Sequence, residues 1–384
     1  MKQAVVWMLT LSLAVAMLPM SAEAVELNVA GKGAILMDAA TGTVLYEKNA
    51  HEKLSPASVT KVMTLLLIME AIDSGKISWQ DTVTASEAAA AKGGSQIYLK
   101  VGETMTVEDL VKSIAVSSAN DAACAMAEHL AGSESAFVDM MNRRAAELGM
   151  NDTHFVNCTG LDDAPEAKEH LTSAWDIAIM SRELLVNHPN IKKYTTIWMD
   201  TVRDGEFGLS NTNKLVRFYD GCTGLKTGYT SGAGFCLSAS AQRDGMELIA
   251  VVLGCETSQE RFSACKSMLD YGFANFALIA PEADDNTFVP VKLGTEASVH
   301  AVPGQTIQFL IDKSQRNSVT TEISLEPWIP APVSMGQRLG TMTVRAGDQI
   351  LAQVPMVAAT GIPRLTFADL FMLALKSVAM GHEG

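Results

Sequence analysis

The texture of the chain changes once, at Ile279-Ala280-Pro281-Glu282, and that change limits the fold more than any other feature. Before it, apolar residues recur at helical spacing or crowd into short runs. After it, from FVPVKLGTEASVHAVPG to RLGTMTVRAGDQILAQVPMVA, short alternating runs are broken by Gly-containing turns, the mark of a small antiparallel β-domain. Helical and strand periods differ, so one pattern cannot serve both, and two units of different construction are expected. A chain of 384 residues is long enough for one large domain and a smaller one.

In the first unit, AILMDAATGTVLYEKNA flanks Ala40-Thr41-Gly42 with apolar residues and reads as a hairpin. Val62, Met63, Leu65, Leu66 and Met69 then place a helix directly behind it. Its entrance holds Val59 and Thr60, modest helix formers, so packing has to carry it. Residues 80 to 150 read as mainly helical, with Thr106 as an N-cap ahead of Glu108 and Asp109. SAWDIAIMSRELLVNHP is a further helix, stopped by Pro189. GLKTGYTS, GFCLSASAQR and MELIAVVLGC are strands, and SQERFSACKSMLDYGFANF is a helix that packs back on them.

Both ends of the chain carry addresses. Lys2, an apolar run from Ala4 to Leu18 and Ala22-Glu23-Ala24 form an export signal, cut after Ala24. RLTFADLFMLALKSVAMGHEG presents Phe367, Ala368, Phe371, Leu375 and Val378 on one broad helical face, with Asp369 and Lys376 sharing a flank. It is too short and too charged to span a bilayer; it either lies in a membrane interface through residues 364–380 or docks on the domain.

The net charge of −14 argues against a nucleic-acid partner, which needs clustered Lys and Arg. Cys124, Cys158, Cys222, Cys236, Cys255 and Cys265 are irregularly spaced without a C-x-x-C, and the expectation is mostly free thiols. His154 and Cys158 have no second pair at ligand spacing, so no metal site is expected.

Three short stretches carry chemistry. Ser58 and Lys61 stand three residues apart in SPASVTKVMT, on one face of a helix start, where an amine can take the proton of a hydroxyl nucleophile. Ser118-x-Asn120 falls between two helical segments. Lys226-Thr227-Gly228 lies on a strand, with Gly224 and Gly228 leaving room for an extended ligand along its edge. Each alone is commonplace: S-x-x-K arises by chance, S-x-N is usually a helix cap and K-T-G usually a turn.

Together, in this order, they match the S-x-x-K, S-x-N, K-T-G set of penicillin-interacting serine enzymes. With Ala34-Ile35-Leu36-Met37-Asp38, HFVNCTGLDD at 154–163 and GLKTGYTSGAGFCLSASA from 224, the chain resembles the serine D-alanyl-D-alanine carboxypeptidases, the low-molecular-mass penicillin-binding proteins. The resemblance implies an α/β fold of the α+β kind. A signal peptide at 1–24 would be followed by a transpeptidase-like catalytic domain at 25–280, an antiparallel sheet with helices plus an all-helical part. A small β-sandwich-like domain at 281–360 and an amphipathic helix at 361–384 would complete the chain.

It further implies an exported enzyme of the cell envelope, attached to the outer face of the cytoplasmic membrane. Its substrate would be a peptidoglycan stem peptide ending in D-Ala-D-Ala, β-lactams would be covalent inhibitors, and no cofactor would be needed. Ser58 would be acylated and Lys61 would accept its proton, its pKa lowered by burial and by Lys226. Ser118 would relay a proton to the departing D-alanine, and Asn120 would orient Lys61 and the substrate amide. Lys226, Thr227 and Gly228 would hold the substrate with Arg261, and the backbone N–H groups of Ser58 and Tyr229 would receive the oxyanion. Arg217 cannot be matched to a family position and stays outside the site.

A class A-like β-lactamase is the enzymatic rival, through the near match Glu183-Leu-Leu-Val-Asn187. That glutamate falls inside a helix, on its solvated flank, where a loop is required. A non-catalytic wall-binding scaffold is the rival from another class, disfavoured by the intact motif set. Transpeptidase or endopeptidase action differs only in what reaches the ester.

Overall fold

The structure is a computed structural model that describes residues 27–281, 286–305 and 307–380, with the backbone alone for 373, 374 and 376–380. The export signal expected at residues 1–24 falls outside the described residues. The described chain forms two compact units, one of residues 27–279 with 310–313, the other of residues 280–309 with 314–380.

In the first unit, strands β1 (Gly33–Asp38) and β2 (Val44–Lys48) form the expected hairpin. Three further strands, β3 (Cys222–Thr230), β4 (Gly234–Arg243) and β5 (Met246–Cys255), complete an antiparallel sheet in the order β2-β1-β5-β4-β3. Strand alternation divides its side chains between two cores. Ile35, Met37, Ile249, Val251 and Leu253 face the helical part, while Ala34, Leu36, Leu248, Ala250 and Val252 face the other way. Because both faces are covered, β5 runs unbroken and apolar from Leu248 to Leu253 instead of alternating.

Helices α1 (Lys61–Asp73), α2 (Val107–Ser117), α3 (Asn120–Ala131), α4 (Glu134–Glu147) and α5 (Ala174–Asn187) belong to the first face. Helix α6 (Ser258–Asn275) covers the second, started by a capping box between Thr257 and Glu260. Helix α1 is buried on almost every side, which explains how it forms despite its weak entrance: packing, not propensity, holds it. Thr106 caps α2 as its sequence suggested, accepting from the Asp109 N–H at 3.1 Å.

The second unit contains β6 (Phe288–Lys292), β7 (Ser298–Pro303), β8 (Val319–Leu325), β9 (Ile329–Pro330), β10 (Arg338–Ala346) and β11 (Gln349–Ala358). Their order is β8-β10-β11-β7-β6-β9, antiparallel throughout except for the short β6–β9 pair. Val289, Val291, Val299, Leu339, Met342, Val344, Val354 and Met356 fill its core. Helix α7 (Phe367–Met380) follows, with Phe367, Phe371, Met372 and Leu375 exposed. Val378, part of its expected apolar face, lies outside the described side chains. Among the described residues no helix is long and apolar enough to cross a membrane.

Candidate active site

Ser58 stands in a single 3-10 turn, Ala57–Thr60, that runs directly into α1. The turn is held from inside the protein. Thr60 Oγ1 donates to the Ala57 carbonyl at 2.8 Å and lies 2.7 Å from His170 Nε2. His170 Nδ1 accepts the Val156 N–H at 3.1 Å, which leaves Nε2 as the protonated nitrogen, donating to Thr60. Burial pushes the His170 pKa down to about 4, so the ring stays neutral in this role. Opposite the turn, a Cβ on Gly160 would come 1.9 Å from the Ala57 oxygen, so only glycine fits there.

Lys61, the first residue of α1, is completely buried. Its Nζ donates to Ser58 Oγ at 3.0 Å and to the Thr159 carbonyl at 2.8 Å. Burial lowers its pKa to about 7, against the opposing pull of the Asp121 carboxylate. The sequence reading named burial and Lys226 together as the cause, and burial is the larger of the two. The repulsion between the two lysines is mutual, and the pKa of Lys226 is driven well below normal by burial, then by Lys61, then by Arg261.

The segment 157–161 that grips Lys61 is itself shaped by Asn157. Its Oδ1 accepts the N–H groups of Thr159 and Gly160 at 3.1 and 2.6 Å, and its Nδ2 donates to the Leu161 carbonyl at 2.9 Å. Such a side-chain-built turn fixes where the Thr159 carbonyl points.

Ser118 caps the end of α2 in a left-handed conformation, φ 62°, and Asn120 opens α3. Asn120 Nδ2 donates to the Gly93 carbonyl at 2.7 Å, while Oδ1 is buried without a hydrogen-bond partner among the described residues. An unsatisfied buried acceptor beside this cluster is a place for a ligand N–H. Asp121 accepts the N–H groups of Ile97 and Leu99, tying the loop before α2 to the same helix start.

Strand β3 is the outer strand of its sheet, so Lys226-Thr227-Gly228 lies at an edge. Thr227 Oγ1 donates to Thr212 Oγ1 at 2.7 Å, and the Thr212 N–H donates to the Val116 carbonyl at 3.2 Å, two residues before Ser118. A Cβ on Gly228 would lie 2.5 Å from the Pro56 oxygen and 3.1 Å from the Ser58 nitrogen. The glycine therefore admits the Ser58 turn against the strand, a different service from the ligand space read in the sequence. Gly224 similarly admits Thr195. These links tie the strand to the Ser58 turn on one side and to the end of α2, just before Ser118, on the other.

Arg261, in α6, is buried and donates to the Gly228 carbonyl at 2.9 Å, the Cys236 carbonyl at 3.4 Å and Ser258 Oγ at 3.3 Å. Its Nε has no partner among the described residues. Tyr229 is exposed, its ring stacked on Phe235. Arg217 is exposed too, its guanidinium over Trp198 and Phe218.

Glu183 lies within α5, as its helical period required, but its flank is not freely solvated. It accepts Arg144 Nη2 at 2.7 Å and Asn187 Nδ2 at 2.8 Å, and Arg144 also binds Glu70 at 2.7 Å. Glu70, Glu183 and His188 converge, yet Arg144 already supplies the cation between the two carboxylates.

Thr60, Thr159, His170 and Thr212 were not read from the sequence as parts of this site. Thr159 could have been found inside HFVNCTGLDD, whose Asn and Gly signal a built turn. His170 carries no local signal at all.

Residues 19–257 match the family model described as D-alanyl-D-alanine carboxypeptidase, and residues 278–364 match the C-terminal domain of penicillin-binding protein 5. The D-alanyl-D-alanine carboxypeptidase DacF of Bacillus subtilis is 43% identical, covering 89% of this chain and 88% of its own. DacC of Escherichia coli is 34% identical over 85% of this chain and 83% of its own. Among solved structures, penicillin binding protein 5 of Haemophilus influenzae superposes with a TM-score of 0.71 at 30% identity, over 88% of this chain and 98% of that one. Penicillin-Binding Protein D2 of Listeria monocytogenes, solved in an ampicillin-bound form, gives 0.56 at 31% identity, over 64% and 98%.

Proposed function

The chain belongs to the D-alanyl-D-alanine carboxypeptidase family, and from that premise we propose that its Ser58 cleft splits the terminal D-Ala-D-Ala bond of a peptidoglycan stem peptide through an acyl-enzyme. It is a serine-type hydrolase of the low-molecular-mass penicillin-binding group. The observation that carries the mechanism is the 3.0 Å bond between Ser58 Oγ and a fully buried Lys61 with a pKa of about 7. A lysine in that range is substantially neutral at neutral pH, so it can take the serine proton as Oγ attacks the carbonyl.

Ser118 passes a proton to the departing D-alanine amine, and the free Asn120 Oδ1 accepts the substrate amide N–H. Lys226 and Thr227 hold the terminal carboxylate: an incoming anion restores the charge that burial takes from Lys226. Gly228 lets the strand lie against the Ser58 turn, and Arg261 braces it from behind while adding positive potential. The oxyanion sits between the N–H groups of Ser58 and Tyr229; a donor of this kind contributes about 3 kcal/mol. Water then hydrolyses the ester. Helix α7 seats its exposed Phe367, Phe371 and Leu375 in the outer interface of the cytoplasmic membrane after export.

A fluorescent penicillin should label the protein in a long-lived complex, with the modified peptide mapping to Ser58. The enzyme should release D-alanine from a D-Ala-D-Ala peptide, and Ser58→Ala should abolish both. Rapid penicillin turnover, or no D-alanine release by the wild type, would overturn the assignment. A chain truncated before Arg364 should lose membrane partitioning; equal partitioning would rule out α7 as the anchor.

A further inference from the structure

All six cysteines are free thiols, and five are buried. Two of them share one carboxylate. Cys158 Sγ lies 3.2 Å from Glu134 Oε1 and Cys124 Sγ 3.9 Å from Glu134 Oε2, so the two thiols meet at the two oxygens of one side chain. Cys222, Cys236 and Cys265 instead turn their sulfurs to backbone carbonyls.

The pair sits directly behind the catalytic groups. Cys124 follows Asn120 by one turn of α3. Cys158 precedes Thr159, whose carbonyl holds Lys61, and its own carbonyl accepts Thr64 Oγ1 at 2.7 Å, so α1 is pinned twice to this short segment. A cavity of about 520 Å³ lined by Lys92, Glu134, Asn157 and Thr159 opens over the shared carboxylate.

We propose that Cys124 and Cys158 are an oxidisable dithiol, closed to a disulfide when the chain folds in the presence of an organic disulfide. The thiolate of one cysteine attacks R–S–S–R, forming a mixed disulfide and releasing RS⁻. The second cysteine then displaces the remaining RS⁻. The pair loses two electrons and two protons, and R–S–S–R becomes two RSH. In the folded state the Cys158 thiol is kept protonated, by the neighbouring Cys124 thiol, then by burial and the Glu134 charge, which places the exchange during folding. The resulting bond staples the helix that carries Asn120 to the segment that holds Lys61. A small disulfide such as oxidised glutathione and a disulfide-donating exported protein offer the same chemistry.

The full chain is refolded in reduced and oxidised glutathione, quenched with acid, denatured and alkylated. Four thiols should react and two should be protected, with a peptide map joining Cys124 to Cys158. A disulfide-donating oxidoreductase in place of glutathione distinguishes the two sources. Reduction should lower the unfolding midpoint by roughly 5 °C or more, because the bond closes a long loop. Cys124→Ala/Cys158→Ala should show no response to reductant. Six reactive thiols, a crosslink to any other cysteine, or a midpoint indifferent to reduction would overturn the proposal. None of these readouts involves D-alanine release, so they stand apart from the function proposed above.

Discussion

The peptidase unit and the C-terminal β unit bury different things. Lys61, Asp121, His170, Lys226 and Arg261 are all buried in the first, while the second has a core of Val, Ile, Leu, Met and Ala with no buried charged side chain among the described residues. Removing an ionisable group from water costs several kcal/mol unless it is paired or made neutral. The peptidase unit bears that cost for two lysines close enough to repel each other. The function proposed above, which needs a neutral amine and an anion-seeking ammonium, accounts for an arrangement that poor for stability. The β unit, with no such duty, follows ordinary packing rules.

The largest effect expected from this contrast is at Lys61. Lys61→Met should slow penicillin labelling by about 10³-fold, the scale of a lost general base, while the unfolding midpoint stays level or rises because a buried amine is gone. In the wild type, labelling should increase with pH until about 7 and then level off, since the neutral lysine is the form populated above its lowered pKa. Unchanged labelling by the variant would break the contrast at its centre.

Leu339→Ala tests the other side. It should destabilise the β unit by about 2–5 kcal/mol, the usual result of truncating a fully buried leucine, and leave the labelling rate within about twofold. A labelling rate that falls with it would show that the two cores are not energetically separate.

The smallest effect concerns His170. Its folded pKa of about 4 lies below the ordinary 6.5, so the unfolded chain binds the extra proton first. Its contribution is present above pH 6.5 and is lost as pH falls from 6.5 towards 4, up to about 3 kcal/mol in all. Denaturant titrations of His170→Asn should show a flatter decline over that window; equal slopes would remove His170 as the neutral brace of the Ser58 turn.

Much of the fold was legible because its signals are local. The hairpin at 34–48, the strands at 222–255, the Thr106 cap and the change of texture near 280 all rest on residue types a few positions apart. Ser58 and Lys61 likewise meet through helical spacing alone. The flank of Glu183 was misjudged because its partner, Arg144, lies 39 residues away, on another helix.

What could be read from neighbouring residues was the element types, the two styles of unit and the Ser58–Lys61 contact, since backbone geometry ties such neighbours together whatever surrounds them. Packing alone brought Thr159 and His170, 98 and 110 residues from Lys61 and Thr60, to hold Lys61 and the turn that carries Ser58. It also decided that Gly228 would serve the approach of Ser58 and that Arg261 would face backbone carbonyls. These outcomes depend on which surfaces exclude water together, and burial, which sets the pKa of Lys61, is a property of the packed assembly that no local spacing encodes.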